Sequence, residues 1–221
     1  MNIIDAIQAR YSTRAFLAES IDRKTVYAIL EAARWAPSGV NSQPWKVVVL
    51  GRESIDALAQ RLIQARENDT KPNPDYSYYP QQWKEPYLTR RRTCGLSLYQ
   101  ALGIGAKDKE HQLQAWNRNY RFFDAPIGLL FFIDRDMQTG SWIDTGMFMQ
   151  NIMLGAKSFA LDTCPQASLA EYPDIVRKQL NIDDHWLLVA GMAMGYADPD
   201  AAVNQYRLAR ENVEDFTQWF A

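Results

Sequence analysis

The sequence contains few of the residues that metal centres and disulfide frameworks require. Its 221 residues include only two cysteines, Cys94 and Cys164, and two histidines, His111 and His185. These residues lack the spacing of a zinc site, and two isolated thiols favour a reduced, cytoplasmic protein over a secreted, disulfide-bonded one. Zinc enzymes and hydrolases built on a histidine are therefore poorly supported, and we predict no metal site.

Long apolar runs and an excess of one charge are also missing. The longest apolar stretch, APIGLLFFI at 125–133, is too short to cross a bilayer as a helix and predicts a buried strand instead. Lys and Arg number 24 against 26 Asp and Glu, which leaves a formal net charge of −2. This balance favours neither nucleic acid nor an anionic membrane as a partner, and the basic run at 90–92 is interpreted as a solvated face. The N-terminus, MNIIDAIQAR, predicts an amphipathic helix rather than a secretory signal.

The hydrophobic pattern predicts a single domain over residues 1–221. Helical spacing is found at 2–9, 22–35, 53–67, 91–102, 108–119 and 144–160, and apolar runs predict strands at 46–51, 127–134, 161–165 and 186–197. Because helices and strands alternate irregularly, we expect an α+β fold with helices packed on both sides of a mixed central sheet.

Two helix starts and the form of the last segment are predicted for the second half of the chain. Asp144 is expected to cap the helix at 144–160, and Ser168 is expected to cap a following helix that carries Val176. The segment 210–220 is expected to close the chain as a helix or an extended arm.

The segment 68–90 differs from the rest of the chain. It interleaves prolines with aromatic residues, namely Pro72, Pro74, Pro80 and Pro86 with Tyr76, Tyr78, Tyr79, Trp83 and Tyr87. Neither the helical nor the strand period fits this pattern. We predict a long excursion that is either a lid over a site or a surface loop held in place by its aromatic side chains.

Anion-binding donors are concentrated in RYSTRAF, residues 10–16, just after the first predicted helix. Arg10 and Arg14 lie four positions apart with the hydroxyl of Ser12 between them. A phosphate monoester needs several such donors converging from a fixed backbone. The alternative is that both arginines are surface charges that follow a helix.

A second polar stretch, APSGVNSQPW at 36–45, offers several groups that donate or accept hydrogen bonds along the edge of a flat ring. Pro37 and Pro44 limit its flexibility, Gly39 permits close approach of the backbone, and Asn41 both donates and accepts. A purely structural loop is the alternative interpretation.

Taken together, these stretches resemble the nitroreductase family of FMN-dependent oxidoreductases. The resemblance spans nearly the whole chain and is carried in order by RYSTRAF, EAARWAPSGVNSQPWKVVVL, FFDAPIGLLFFID, DTGMFMQNIMLGAKSFALDTCPQASLAEYP, GMAMGYAD and NQYRLAREN. The DTCPQAS block and the ending are most similar to the nitrobenzoate-reductase-like branch. The aromatic segment 68–90 lies outside the shared motifs, so the resemblance implies no substrate preference from it.

The resemblance implies an FMN site at the interface of a homodimer. Its phosphate and ribityl chain would be held by Arg10, Ser12 and Arg14, with Tyr11 at a position where many relatives carry Arg or His. From the C-terminal segment, Arg210 would close on the same phosphate, and Arg207 is a weaker candidate.

For the flavin ring, the resemblance implies contacts from both subunits. Pro37, Ser38, Gly39 and Asn41 would reach it from the partner subunit, while Cys164, Pro165, Gln166 and Ala167 would lie along the isoalloxazine. A backbone N–H of the latter group would point at N5. Cys164 is interpreted as a small residue beside the flavin rather than a nucleophile, because no histidine pattern activates it.

The implied reaction passes a hydride from NADH or NADPH through flavin N5 to a nitroaromatic or quinone-like acceptor. Donor and acceptor would share one pocket in a ping-pong mechanism, and no side chain would be needed as a general base. Three alternatives stay open. The first is a flavin-binding or flavin-fragmenting protein without a nicotinamide half-reaction, a class that includes reductive dehalogenases of the same fold. The second is a helical scaffold without catalysis, and the third is a nucleic-acid role, which would need a basic face that the net charge of −2 does not suggest.

Overall fold

A four-stranded sheet forms the centre of the protein in the computed structural model, which describes residues 2–220. Its strands are β1 (Trp45–Leu50), β2 (Ile127–Asp134), β3 (Asp162–Gln166) and β4 (Trp186–Gly195). They lie in the order β1-β2-β4-β3, and every neighbouring pair is antiparallel. The predicted strands and the α+β class are confirmed.

The expected mixed sheet is corrected to an antiparallel one. β2 and β3 do run in the same direction, but β4 lies between them and pairs with both. Among the described residues, parallel pairing is confined to a single bridge between Ser12 and Thr163. Irregular alternation of helices and strands does not determine which strand is inserted between two others, so the sequence pattern could not exclude this order.

Helices cover both faces of the sheet, as expected. They are α1 (Ile3–Ala9), α2 (Arg23–Ala33), α3 (Arg52–Glu67), α4 (Tyr87–Ala101), α5 (Lys109–Asn117), α6 (Thr139–Lys157), α7 (Pro173–Leu180) and α8 (Val213–Phe216). Alternate residues of β2 point to opposite faces, so Leu130 and Phe132 join the core under α3 and α7, while Leu129 and Phe131 join the core under α2 and α6. None of the helices in residues 2–220 combines the length and the apolar composition that a bilayer crossing requires.

Two predicted helix caps are wrong. α6 begins at Thr139, so Asp144 lies inside the helix, where its buried carboxylate accepts a hydrogen bond from the Gly39 N–H at 3.1 Å. Ser168 lies in a 3-10 turn (Ala167–Ala170), and α7 begins later, with Pro173 in its first turn. Both residue types favour helix starts locally, and tertiary contacts override that preference here. The C-terminal segment is mostly an exposed arm in which only α8 is helical.

The aromatic segment is attached to the sheet at its base through Asp75. The Asp75 carboxylate, only 7% exposed, accepts from Arg177 at 2.6 Å, from Arg135 at 3.0 Å and from the Leu188 N–H at 3.2 Å. The next residue, Tyr76, donates its hydroxyl hydrogen to the Val189 carbonyl at 2.6 Å. The base of the segment is therefore fixed against β4, which fits a loop held in place. The role of the remaining part as a lid stays a prediction.

We expect the substitution Asp75→Asn to lower the free energy of unfolding by about 3 kcal/mol, because it removes the buried carboxylate that pairs with Arg177 and leaves this buried arginine with only the exposed Asp184 as an anionic partner. Burial raises the pKa of Asp75, but the hydrogen bonds from Arg177, Arg135 and the Leu188 N–H outweigh it and lower the pKa below its ordinary value. The contribution is therefore complete above about pH 4 and is lost as the pH falls through the lower folded-state pKa.

Urea denaturation at several pH values measures this effect, with Asp56→Asn as the matched control. Asp56 forms an exposed pair with Arg52, and its loss should cost less than about 1 kcal/mol. Equal losses in the two variants, or a deficit in Asp75→Asn that does not shrink at acidic pH, would contradict the assignment.

Candidate functional site

The RYSTRAF segment lies against the edge of the sheet at β3. After α1 the chain becomes extended, and the Thr13 N–H donates to the Thr163 carbonyl at 3.1 Å. Further along, the Leu17 N–H donates to the Tyr196 carbonyl at 2.9 Å, just beyond β4. These bonds place Arg10, Ser12 and Arg14 beside the segment that carries Cys164, as the resemblance implied.

The C-terminal segment is joined to RYSTRAF by the side chain of Asn204. This buried amide accepts a hydrogen bond from the Arg14 N–H at 2.9 Å and donates to the carbonyls of Ala15 at 2.8 Å and Asp198 at 2.9 Å. Residues that are close to opposite ends of the sequence therefore meet at one point. Arg207 and Arg210 follow Asn204 directly and are brought to the same region.

The cations of this region lie close together without carboxylate partners. The pKa of Arg10 is lowered, first by burial and then by the positive charge of Arg210. Among the described residues, neither arginine forms a salt bridge, and Arg210 donates only to the carbonyls of Leu208 and Ala209. Two guanidinium groups that repel each other in a half-buried site are stabilised by an anion bound between them.

Arg207 is held differently from Arg210. Its guanidinium lies 3.5 Å from the centroid of the Tyr11 ring and donates to the Asn204 carbonyl at 2.8 Å. The cation–π contact occupies one face of Tyr11 and fixes the arginine beside it. Arg207 is therefore less free than Arg210 to turn toward a ligand, which keeps it the weaker candidate for a phosphate contact.

A cavity of about 480 Å³ extends from Arg14. Residues 165–168, at the end of β3 and in the following turn, line what we call its floor, and residues of the aromatic segment, α4 and α5 line what we call its wall. Six aromatic residues line the cavity, five of them on the wall and Phe123 in the turn before β2: Tyr76, Tyr78, Tyr79, Tyr99, Trp116 and Phe123. Flat aromatic surfaces facing a polar backbone floor suit a planar ligand.

Buried polar atoms without a hydrogen-bond partner concentrate at this site. Within residues 2–220 there are seven such side chains, and five lie on the three segments that meet here. The five are Thr13, Thr163, Gln166, Ser168 and Tyr206. Because each buried, unpaired polar atom costs about 1–3 kcal/mol, their clustering indicates that a ligand supplies the partners. Gln166 was predicted as a site residue, whereas Ser168 was predicted as a cap and Tyr206 was missed.

The predicted loop at 37–41 does not reach the cavity within one chain. The backbone of Gly39 is tied to Asp144 on α6, and the Ser38 hydroxyl accepts from the Gln43 N–H at 3.0 Å. Pro37 and Asn41 are exposed, and Asn41 has a φ of 58°, a left-handed conformation that asparagine tolerates. These residues could complete a site only in a second copy of the chain.

Cys164 is buried and lacks the surroundings of a nucleophile. Burial raises the pKa of its thiol, and the opposing effects of Arg14, the Ser12 hydrogen bond and Arg10 do not compensate. The two histidines are engaged elsewhere, His111 with Asp108 and His185 with Asp134. Among the described residues there is also no group of three His, Cys, Asp or Glu side chains placed to hold a metal ion.

Comparison with known proteins identifies the family. The family model described as "Nitroreductase family" matches residues 7–196. The chain belongs to the nitroreductase family. This nitroreductase-family chain is 38% identical to a chloronitrobenzene nitroreductase of Comamonas testosteroni over 97% of its own length and 95% of the relative. It is also 38% identical to a 4-nitrobenzoate reductase of Pseudomonas putida, over 97% and 94% of the two chains.

Solved structures agree with this assignment. The crystal structure of an FMN- and NADPH-dependent nitroreductase, NfnB from Sphigopyxis sp. strain HMH, matches the nitroreductase-family chain with a TM-score of 0.96. The match covers 100% of both chains at 34% identity. The NfnB of Mycobacterium smegmatis, solved in complex with NADPH, matches with a TM-score of 0.94 at 31% identity over 99% of this chain and 97% of that one. The family predicted from the sequence is confirmed.

We expect only one of the two thiols to react quickly with DTNB at neutral pH in the folded nitroreductase-family chain. Cys94, on α4, is partly exposed, whereas Cys164 is buried with a raised pKa. Unfolding should release the second thiol, and Cys94→Ser should abolish the fast phase. A fast phase that survives in Cys94→Ser and disappears in Cys164→Ser would show that Cys164 is an accessible, activated thiol.

Proposed function

We propose that this chain is an FMN-dependent oxidoreductase that passes reducing equivalents from NADH or NADPH to a nitroaromatic or quinone-like acceptor. The observation that carries the proposal is the clustering of unpaired cations and unpaired buried polar atoms where RYSTRAF, β3 and the C-terminal segment meet, next to a cavity that Arg14, Gln166 and Ser168 line. An anionic phosphate joined to a flat heteroaromatic ring would supply both the negative charge that the unpaired arginines lack and the hydrogen-bond partners that the buried polar atoms lack. The relatives described above, which include FMN- and NADPH-dependent nitroreductases, support it.

The phosphate would be held where the two ends of the sequence meet. Arg10, Arg14 and Arg210 would supply the positive charge and Ser12 a hydroxyl. The Thr13 and Asn204 hydrogen bonds fix the backbone of RYSTRAF, and Arg210 follows six residues after Asn204. A doubly charged phosphate would reverse the repulsion that now lowers the pKa of Arg10. Tyr11 would contribute by holding Arg207 rather than by contacting the phosphate itself.

The ring would lie along residues 164–167, of which 165–167 line the cavity floor. β3 is paired with β4 over this stretch, which keeps its backbone rigid. Gln166 donates its amide hydrogen to the Asn119 carbonyl at 2.7 Å, which fixes the side chain and leaves its buried oxygen without a donor. That oxygen is suited to accept a hydrogen bond from an N–H at the edge of a heteroaromatic ring.

When bound, FMN supplies at N5 the atom that accepts a hydride from the nicotinamide and yields it to an electron-poor acceptor. The chain provides orientation: the aromatic wall of the cavity stacks planar molecules, and the fixed floor sets their distance from the ring. A single cavity serves the nicotinamide and the acceptor, so the two would bind in turn, as in a ping-pong mechanism. Solvent would supply the protons, because the buried Cys164 thiol has a raised pKa and no histidine is near.

The first test is the visible spectrum of the purified protein, followed by anaerobic titration with each nicotinamide. The protein should carry flavin absorption bands that bleach with NADH, NADPH or both, and that return on addition of a nitroarene. Arg210→Ala should raise the dissociation constant of FMN by about tenfold or more, since it removes a charge-assisted contact.

Arg23→Ala, which removes an exposed cation on α2, is the matched control and should leave FMN binding unchanged. Fluorescence quenching during titration with free FMN measures both dissociation constants. A colourless protein that does not bind added FMN would refute the proposed function. Bound flavin with unchanged affinity in Arg210→Ala would refute only the phosphate contact.

We also propose that the functional unit is a homodimer, for which the exposed apolar residues of α6 and α1 supply the interface. Ile143 on α6 is 63% exposed, and Ile3, Ile4 and Ile7 on the adjoining α1 are exposed as well. Large apolar patches of this kind mark interaction surfaces. The loop at 37–41, fixed to α6 through Asp144, would then reach the partner's cavity.

A cytoplasmic location stays a prediction.

We expect the purified protein to have the mass of two chains by light scattering, and Ile143→Glu to shift it toward one chain with loss of retained flavin. Burying a new charge in an apolar contact opposes association. Leu113→Glu is the matched control, because it changes an exposed leucine on α5, which is not one of the two helices of the proposed interface. It should leave the mass unchanged. A wild-type monomer that retains flavin would contradict the proposed interface.

A further inference from the structure

The cavity has a second polar end, formed where α5 finishes. Arg118 and Asn119 line it next to Trp116, and Glu171 lines it from the turn that precedes α7. Apart from Arg14, which belongs to the proposed phosphate site, Arg118 is the basic residue that lines the cavity among residues 2–220. The charges at this end therefore bear on which acceptor can enter.

The negative charge of the Glu171 carboxylate is partly offset by two neighbouring groups. Tyr120 donates its hydroxyl hydrogen to Glu171 Oε2 at 2.5 Å, and Arg66 Nη1 lies 3.8 Å from the same oxygen. Burial and the bond to Glu171 raise the pKa of Tyr120, so its hydroxyl remains a donor at any physiological pH. Glu171 is thus held by two groups behind it and is a weak source of repulsion within the cavity.

Arg118, by contrast, is incompletely paired. Its single side-chain partner among the described residues is Asp124, whose Oδ2 lies 3.3 Å from Nη2, and that carboxylate is 51% exposed. The Nε and Nη1 groups have no partner within residues 2–220, although the residue lines a mostly apolar cavity that includes six aromatic side chains. A guanidinium presents its donors as a fork that matches the two oxygens of a carboxylate.

We propose that Arg118 binds a carboxylate carried on the aromatic ring of the acceptor, and so gives this enzyme a preference for acidic nitroarenes over neutral ones. This inference rests on the proposed function and adds the substrate class. The aromatic wall would stack the ring, and the low polarity around it would strengthen the charge-assisted pair. A neutral ring of the same size would stack equally well but would leave Arg118 with its weak, exposed partner alone.

The test compares 4-nitrobenzoate with 4-nitrobenzamide, its neutral analogue of nearly the same shape, using the FMN-loaded enzyme. Wild type should show the higher kcat/KM for the carboxylate. Arg118→Gln should lower kcat/KM for 4-nitrobenzoate about 10- to 100-fold, mainly through KM, while kcat/KM for the amide stays unchanged. Arg118→Lys should retain part of the preference, because it keeps the charge and loses the fork.

Arg121→Gln is the matched control, since Arg121 is an exposed arginine three positions later that lines a surface groove with α3 rather than the cavity. It should leave both substrates unaffected. A parallel loss of both substrates in Arg118→Gln, or no loss of either, would overturn the proposal.

A binding measurement separates this proposal from the proposed function. Benzoate is not reduced, and its dissociation constant can be measured from the change it causes in the flavin spectrum. Weaker benzoate binding in Arg118→Gln supports the carboxylate contact even if wild type reduces neither nitroarene, whereas unchanged benzoate binding overturns it. Failure of flavin binding itself would refute the proposed function.

Discussion

The side-chain amide of Asn204 is the interaction on which the site depends. It satisfies one N–H and two carbonyls from segments that are nearly two hundred residues apart in sequence. No strand ladder is available there, because RYSTRAF forms only isolated bridges with its neighbours. A buried amide with three partners replaces the ladder and fixes the direction of the arginines on both segments.

This arrangement explains how a nearly neutral chain presents a strongly basic site. The net charge of −2 is an average, and the acidic residues do not follow the arginines into the site. The charge of Arg210 acts on Arg10, while half of the other arginines pair with a carboxylate nearby, as Arg52 does with Asp56 and Arg177 with Asp75. The repulsion left in the site is the cost of keeping it ready for an anion.

The elements of the core could be predicted from the sequence because their signals are local. β2 has the predicted bounds, and α1, α2 and α3 begin and end within two residues of the predicted positions. Period-two and period-3.6 patterns record burial directly, so packing and prediction agree. The resemblance to known nitroreductases also pointed to the donors of RYSTRAF and to residues 164–167 as cofactor contacts, and these assignments stay predictions.

What could not be predicted depends on contacts between distant residues. The sequence around Asp144 favours a helix cap, and only the structure shows that its carboxylate binds the Gly39 N–H instead. The same holds for Ser168, whose hydroxyl is buried without a hydrogen-bond partner. Tyr206 lies in NQYRLAREN but no pattern there singles it out, and Arg118 lies in no motif; the first is revealed by its buried, unpaired hydroxyl and the second by the cavity it lines. The strand order could not be predicted for the same reason, because it depends on which strands pair with each other and not on the local structural preference of each segment.

The floor and the aromatic segment are attached to different parts of one strand. β3 pairs with residues 191–195 of β4, whereas Asp75 and Tyr76 bind Leu188 and Val189 nearer the start of that strand. Side chains such as Tyr78 and Tyr79 can thus be exchanged without disturbing the groups that would hold the phosphate. Proteins with this fold can therefore vary the aromatic residues that contact the acceptor one at a time while the cofactor site is kept.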